Sequence, residues 1–461
     1  VQVVFSPTPE GTEPGGFARS MTVTLRASDE PGVNERTRTD RPLSRAFHGL
    51  YKSTVINYDA EAAEQALAAQ TRGGRDPLPF GATYLVISVF SYADEVQPLV
   101  DWKNEKGIQS KLVTLVDTGS TEAEIRAYIQ NAYDTWAIPP EYVLLVGDTE
   151  ALPGYESLTY TDNYYTTVEG SDYLADIFIG RISADYGSQV STQVAKILAY
   201  ERDPMVGDPN WPMTASLWIR NDHDAGDWIY YMNTWRIYTE MELAGFTTID
   251  TLFSANDIER SEVYSSINAG KGFINFRGQA WINWLYPFDV NSGNLSNGWR
   301  LPIVVSATCG TGNYESDGFV NENWMREGTA TSPDGSVAFF ATNTAFPGSP
   351  ELSLRRGYVD EGFFDSVFKS GSGALGEAAA AGRMRLYLTD EDQVDYEGWN
   401  LLGDPEMQMW TSAPTPLSAL HDGGTQIGES DFAVTVLSEG ALLEGARVAC
   451  VKDDEVFSVG Y

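Results

Sequence analysis

Cys309 follows an apolar run, Leu301-Pro302-Ile303-Val304-Val305-Ser306-Ala307-Thr308, and precedes the loop Gly310-Thr311-Gly312-Asn313. A thiol at the C-terminal tip of one strand, facing the tip of its neighbour, is well placed to meet a base and act as a nucleophile. The preceding apolar run, Phe273 to Gly278, ends instead in Gln279 and Ala280. An ordinary thiol titrates near pH ~8.5 and is only slightly ionised at neutral pH, so such a cysteine wants a histidine beside it. A glutamine amide neither takes nor returns a proton there. The backbone N–H groups of Ala280 and Cys309 could still form an oxyanion hole. Taken alone, an unpaired cysteine reads first as a small core hydrophobe. Its place at a strand end, before a glycine-rich loop that can expose it, favours the nucleophile.

The other chemistry-bearing residues each have a plain reading and a functional one. Of the three histidines, His48 and His421 fall outside the α/β region and read as surface residues. His223 follows a strand expected beside the Gln279 strand, roughly 9–10 Å from the cysteine strand. It is a substitute base from the far side, or simply a loop histidine in the acidic cluster Asp222-His223-Asp224. Arg277 is a cation that could favour a thiolate without acting as a base. Trp281 and Trp284 either wall a cleft or belong to the core. Asp148 ends a strand, and the loop Glu169 to Asp176 offers carboxylates four residues apart together with carbonyls. That set suits a hard cation such as calcium, or is a solvated acidic turn.

Composition sets the frame for these residues. The 461 residues carry 65 acidic against 30 basic side chains, a formal net charge of −35. This argues against nucleic acid, whose phosphates need Lys and Arg. It agrees with a soluble secreted or cell-surface protein, and with bound calcium. No run of about 18 apolar residues is present, so no membrane span is expected. The two cysteines, Cys309 and Cys450, fall in different regions and are not expected to pair. The first residue, Val1, and the last, Tyr461, inside an apparent strand, suggest a processed or partial piece of a larger secreted protein. Zinc chemistry lacks clustered His and Cys, dinucleotide and phosphate sites lack their glycine fingerprints, and glycoside hydrolysis lacks a paired-acid motif.

Strands alternating with helices must position these groups. Residues 1–80 read as a β-rich region with a linker: Met21–Arg26 and Ser53–Tyr58 are strand candidates, Asp29–Arg45 a loop, and Gly73–Pro77 the linker. Residues 81–207 and 208–412 read as two adjacent α/β subdomains with mostly parallel sheets, and functional groups at the carboxyl ends of strands. In the first, Thr121 to Glu124 makes a capping box ahead of the stripe Ile125, Tyr128, Ile129, Ala132 and Trp136. In the second, a helix from Trp228 to Leu243 stops at Gly245. Residues 413–461 read as the start of an immunoglobulin-like sandwich, on strands Phe432–Val436 and Ala446–Val451.

Five segments in order resemble the gingipain family of secreted cysteine peptidases, which have a caspase-like fold. They are Leu99–Gly107, Tyr142–Asp148, Asp176–Arg181, Thr308-Cys309 and Asn400–Pro405, within a collinear match over residues 84–412. The resemblance implies a nucleophile at Cys309, its histidine at the position of Gln279, and the orienting carboxylate at Asp222. It also implies calcium on Asp148, the Glu169 carbonyl, Asp172, the Leu174 carbonyl and Asp176, and a prodomain-like remnant over residues 1–80. Asp227 lies nearest to the acid with which arginine-selective members read their substrate. The expected function is peptide-bond hydrolysis of a protein or peptide substrate through Cys309 with an altered or missing base. The alternative is a catalytically silent homologue that binds peptides or calcium or acts as a scaffold.

Overall fold

A computed structural model of the chain describes residues 44–55, 58–70, 80–204, 208–344, 350–421, 423–424, 432–452 and 455–460. Two helices come first, α1 (Arg45–Thr54) and α2 (Ala60–Gln70). The first α/β run comprises β1 (Tyr84–Ser88), α3 (Ala93–Glu105), β2 (Ser110–Thr114), α4 (Glu122–Thr135), β3 (Tyr142–Val146), β4 (Phe178–Ile182) and α5 (Gly187–Arg202). The second comprises β5 (Thr214–Ile219), α6 (Asp227–Leu243), β6 (Thr248–Phe253), α7 (Arg260–Asn268), β7 (Phe273–Arg277), β8 (Ile303–Ala307), α8 (Val320–Arg326), β9 (Ala338–Thr342), α9 (Pro350–Asp365), α10 (Leu375–Asp390) and β10 (Trp399–Leu402).

Both runs join in one ten-stranded sheet of order β2-β1-β3-β4-β10-β9-β8-β7-β5-β6. Within each run the strands are parallel; β10 is antiparallel to β9 and meets β4 through one register pair, Leu402 with Arg181. Successive residues of a strand face opposite sides. Thus Leu144 and Val146 join one core cluster while Val143 and Leu145 join another, and Ile303 and Val305 lie opposite Val304. A sheet apolar on both sides must be covered on both sides. Val194, Ile197, Phe363 and Ala378 cover one face; Ile125, Ile129, Val263 and Trp324 cover the other.

The Thr121–Glu124 capping box forms as expected, with Ile125, Ile129 and Ala132 buried. The α6 helix ends ahead of Gly245 at φ 89°. Ser53 and Thr54 belong to α1, whose N-terminus Ser44 caps through the Phe47 N–H, so the strand expected there is not formed. The strand candidate Met21–Arg26, most of the Asp29–Arg45 loop and the Gly73–Pro77 linker lie outside the described residues. After β10, Val434–Ser438 and Val448–Lys452 are strands, in two separate small sheets. The second of these packs on α3, since a Cβ at Gly107 would lie 3.1 Å from the side chains of both Ala449 and Val459.

Candidate active site

Parallel strands deliver their C-terminal tips to one edge, and three adjacent tips carry the candidate residues. Ala307 on β8 lies opposite Arg277 on β7, and Arg277 opposite Ile219 on β5. Cys309 and Gln279 therefore each stand two residues past a common rung, with Asp222 just beyond on the other side. The middle tip is stitched to both neighbours. Thr308 Oγ1 donates to the Gly278 carbonyl at 2.5 Å, and the Arg220 N–H donates to the Arg277 carbonyl at 2.9 Å. The Gln279 N–H donates to Asp222 Oδ2 at 2.7 Å, while Arg220 pairs with the same carboxylate. The Gln279 side-chain amide donates to Asp224 in the loop after β5, so it is drawn to the side away from β8.

Cys309 is 5% exposed, more enclosed than a glycine-rich loop suggested. The loop is bound down: the Gly310 N–H donates to the Thr344 carbonyl at 3.1 Å and the Gly312 N–H to the Thr342 carbonyl at 2.9 Å. The charged group on the sulfur is one that sequence reasoning missed. Arg356 of α9, 4% exposed, brings Nη1 to 2.9 Å from Cys309 Sγ. A guanidinium has donors and no acceptor, so the sulfur is the acceptor in this contact. Arg277, the expected cation, serves the scaffold instead. Its Nη1 donates to the Ala307 carbonyl at 2.6 Å, its Nη2 donates to Asn233 and to the Ser353 carbonyl, and Asp360 lies 4.0 Å from its Nε. Burial pushes Asp360 up to about 7 despite that arginine.

Residues 78–410 match the model of peptidase family C25. The chain belongs to peptidase family C25. Its curated relatives include gingipain R2 of Porphyromonas gingivalis, 23% identical over 445 residues that cover 92% of this chain and 57% of that protein. Another is Lys-gingipain W83 of the same organism, 29% identical over 418 residues, 82% of this chain and 23% of that protein. The chain thus spans little more than half the length of the former and about a quarter of the latter. Among solved structures, the Arg specific cysteine proteinase gingipain R superposes with a TM-score of 0.71 at 19% identity, over 82% of this chain and 90% of that one. A complex of pro- and mature domains from Porphyromonas gingivalis gives 0.70 at 20% identity, over 81% and 92%.

Within this C25 fold several expected site residues take other places. His223 has a left-handed backbone (φ 61°), donates its N–H to Asn221 at 2.9 Å and is exposed on the far side of Gln279. His48 is bonded to Tyr58 near α1, and His421 is exposed beyond the sheet. Trp281 is 60% exposed beside the β7 tip, but Trp284 is 2% exposed. Trp284 meets Trp218 and Trp324 edge to face at ring distances of 5.2 and 5.3 Å, with Nε1 bonded to Ser306 at 2.9 Å. It is core, not cleft wall. Asp227, 7% exposed, turns its carboxylate back to accept the N–H groups of Asp222 and Asp224 at 2.9 and 3.3 Å. It shapes the loop after β5.

The five expected calcium ligands do not form one site. Asp148 follows β3 at one sheet edge, whereas Asp176 precedes β4 at the other, roughly 15–20 Å away for parallel strands of this length. Asp148 is held by Arg326 at 2.7 Å and shares that guanidinium with Asp185, Asp317 and Glu322. Asp176 accepts the N–H groups of Val168 and Glu169 at 3.0 and 2.9 Å, and Asp172 accepts that of Leu174 at 2.9 Å. Burial, with Asp172 and Glu169 as negative neighbours, raises Asp176 to about 6.

Proposed function

We propose that this chain is a secreted or cell-surface hydrolase of the C25 peptidase family, attacking the carbonyl of a protein or peptide substrate with Cys309. One observation carries the reading: Cys309, Gln279 and Asp222 stand at three adjacent parallel strand tips, with Asp222 bonded to the Gln279 N–H at 2.7 Å. In this reading Gln279 occupies the position of the family's base, so the usual proton transfer is altered or lost. Ala280 and Cys309 supply the oxyanion N–H groups. Trp281 supplies an exposed wall for the substrate.

The decisive test compares hydrolysis of unfolded protein and of thioester substrates by the chain and by Cys309→Ala. Loss of both activities in the variant is expected. Equal rates in the two proteins would end the nucleophile reading and leave a binding or scaffold role.

Calcium enters this proposal only as a structural ion on four of the five oxygens: the carboxylates of Asp172 and Asp176 and the carbonyls of Glu169 and Leu174. Its support is that burial, with Asp172 and Glu169 as negative neighbours, raises Asp176 to about 6, and a hard cation there would favour its charged form. Calcium is expected to raise Tm relative to chelator, and Asp176→Asn to remove the rise while Asp148→Asn leaves it. An unchanged Tm in the unaltered chain at millimolar calcium would reject the site.

A further inference from the structure

We propose that Arg356 is the catalytic partner of Cys309, and that the pair acts on acyl groups whose leaving group departs without a proton: thioesters and aryl esters. This rests on Cys309 being the nucleophile.

The Arg356 head group is fixed on several sides. Nη1 meets Cys309 Sγ at 2.9 Å, while Nη2 donates to the Thr344 carbonyl at 3.2 Å and to its Oγ1 at 3.4 Å. That carbonyl also accepts the Gly310 N–H at 3.1 Å, so one atom positions both the arginine and the loop beside the cysteine. Behind it, Thr344 Oγ1 donates to Asp395 at 2.9 Å, and Asp395 is the carboxylate that faces Arg356. Arg277 is the other cation nearby. A buried guanidinium is costly unless anions accept its hydrogen bonds, and a thiolate is such an anion. Arg356 therefore does for the sulfur the electrostatic half of what an imidazolium does.

Neither Arg356 nor Gln279 can supply the other half, the transfer of a proton. An arginine keeps its protons at any working pH, and an amide side chain such as that of Gln279 has none to give. An amine cannot leave a tetrahedral intermediate unprotonated, whereas a thiolate or phenolate can. The balanced sequence is attack of the Cys309 thiolate on the carbonyl, formation of the C–S bond and departure of the thiolate or phenolate, which takes its proton from solvent. Water then hydrolyses the Cys309 thioester to a carboxylic acid and the thiol, and loss of that thiol's proton to solvent regenerates the thiolate. Without a base for that water, the acyl-enzyme accumulates.

The test uses the full chain with a set of N-acylated amino-acid thiobenzyl esters, spanning the side-chain classes, and the matching p-nitroanilides. Thioesters are expected to turn over after a burst of about one acyl group per chain, found by mass spectrometry on the Cys309 peptide. Anilides are expected to be slower by a further ~100-fold beyond their chemical reactivity difference, the scale of a lost general acid. Arg356→Gln is expected to lose about tenfold or more in thioester rate, and Arg356→Lys to recover most of it, as a charge-assisted hydrogen bond requires. Equal rates in folded Arg356→Gln, or no rescue by lysine, would overturn the role of Arg356. Anilides cleaved as readily as thioesters would overturn the substrate class, a ratio read on the unaltered chain whatever the variants do. Thioester turnover that survives Cys309→Ala would instead overturn the nucleophile itself.

Discussion

Gln279 is held at both ends, its N–H by Asp222 and its side chain by Asp224, and this makes its position a sound place to install a base. A histidine there keeps the backbone bond and finds a carboxylate on the β5 side for one ring nitrogen. The other nitrogen is left toward β8, about one strand spacing (~4.8 Å) away. Positioned acid–base catalysis is worth roughly 10²–10⁴ in rate. Gln279→His is therefore expected to raise anilide kcat/KM by about 100-fold or more, with a far smaller effect on thioesters, and to do so only when Cys309 is present. A folded variant with unchanged anilide rates would mean that Asp222 and Asp224 do not orient a base at this tip. Cys309, Gln279 and Asp222 were legible as strand-end residues because a strand's end and its neighbour's end coincide in a parallel sheet. Trp284 and Asp227 stayed open between a cleft role and a plain one, because nothing local distinguishes a tryptophan on the cleft wall from one in an aromatic core, or a free acid from one turned back on its own loop.

At the scale of elements, the tips stay in register because the backbones approach closely at Gly278. Its φ of 144° is open to glycine and strained for other residues, and an added Cβ would sit 2.7 Å from Arg220 Cβ and 2.9 Å from its carbonyl oxygen. Neither neighbour is a flexible side-chain end, so the β7 tip must move. Gly278→Ala is expected to cost about 2–4 kcal/mol in urea unfolding and to lower thioester hydrolysis, since it displaces Gln279 and the Thr308 bond together. An unchanged urea midpoint would show that the tip has slack. Strands and amphipathic helices such as α4 were readable from period and caps. The pair α9 and α10 was not, and Arg356 was missed with it. Both helices are enclosed on several sides, so neither shows an apolar stripe. Arg356, Asp360 and Glu361 are buried on α9, and an alanine–glycine run is buried on α10. They fit because Gly362 and Gly382 meet: a Cβ on Gly362 would lie 2.9 Å from Gly382 Cα. The residues that would have announced a surface helix are here the ones that pair inside.

Across the whole molecule, net charge and buried acids push stability in the same direction. Burial raises Glu322 to about 8, Glu377 to about 8 and Asp360 to about 7, three carboxyls in different parts of the fold. Each has a native-state pKa above its unfolded value near ~4. The native state therefore binds more protons, and their contribution is complete below about pH 4 and lost as pH rises through 7 to 8. Glu201 has the opposite sign: burial pushes it up, but Lys103 and Lys106 outweigh this and hold it at about 2. Its contribution is present above about pH 4 and lost only as pH falls toward 2. Lys196, brought down to about 7 by burial, loses its contribution as pH falls from about 10 to 7 and changes little below that. Between pH 7 and 5 the raised carboxyls act without opposition, so Tm is expected to rise as pH falls across that window. The −35 formal charge predicts the same trend through eased surface repulsion. Salt separates the two causes, because at about 1 M the screening length is only ~3 Å and the surface part disappears. A rise in Tm that persists in 1 M salt, and is smaller in Glu377→Gln, where the amide oxygen can still accept the Tyr142 hydroxyl that donates at 2.8 Å, assigns it to the buried carboxyls. A Tm that becomes flat from pH 7 to 5 in high salt would assign the whole effect to the surface.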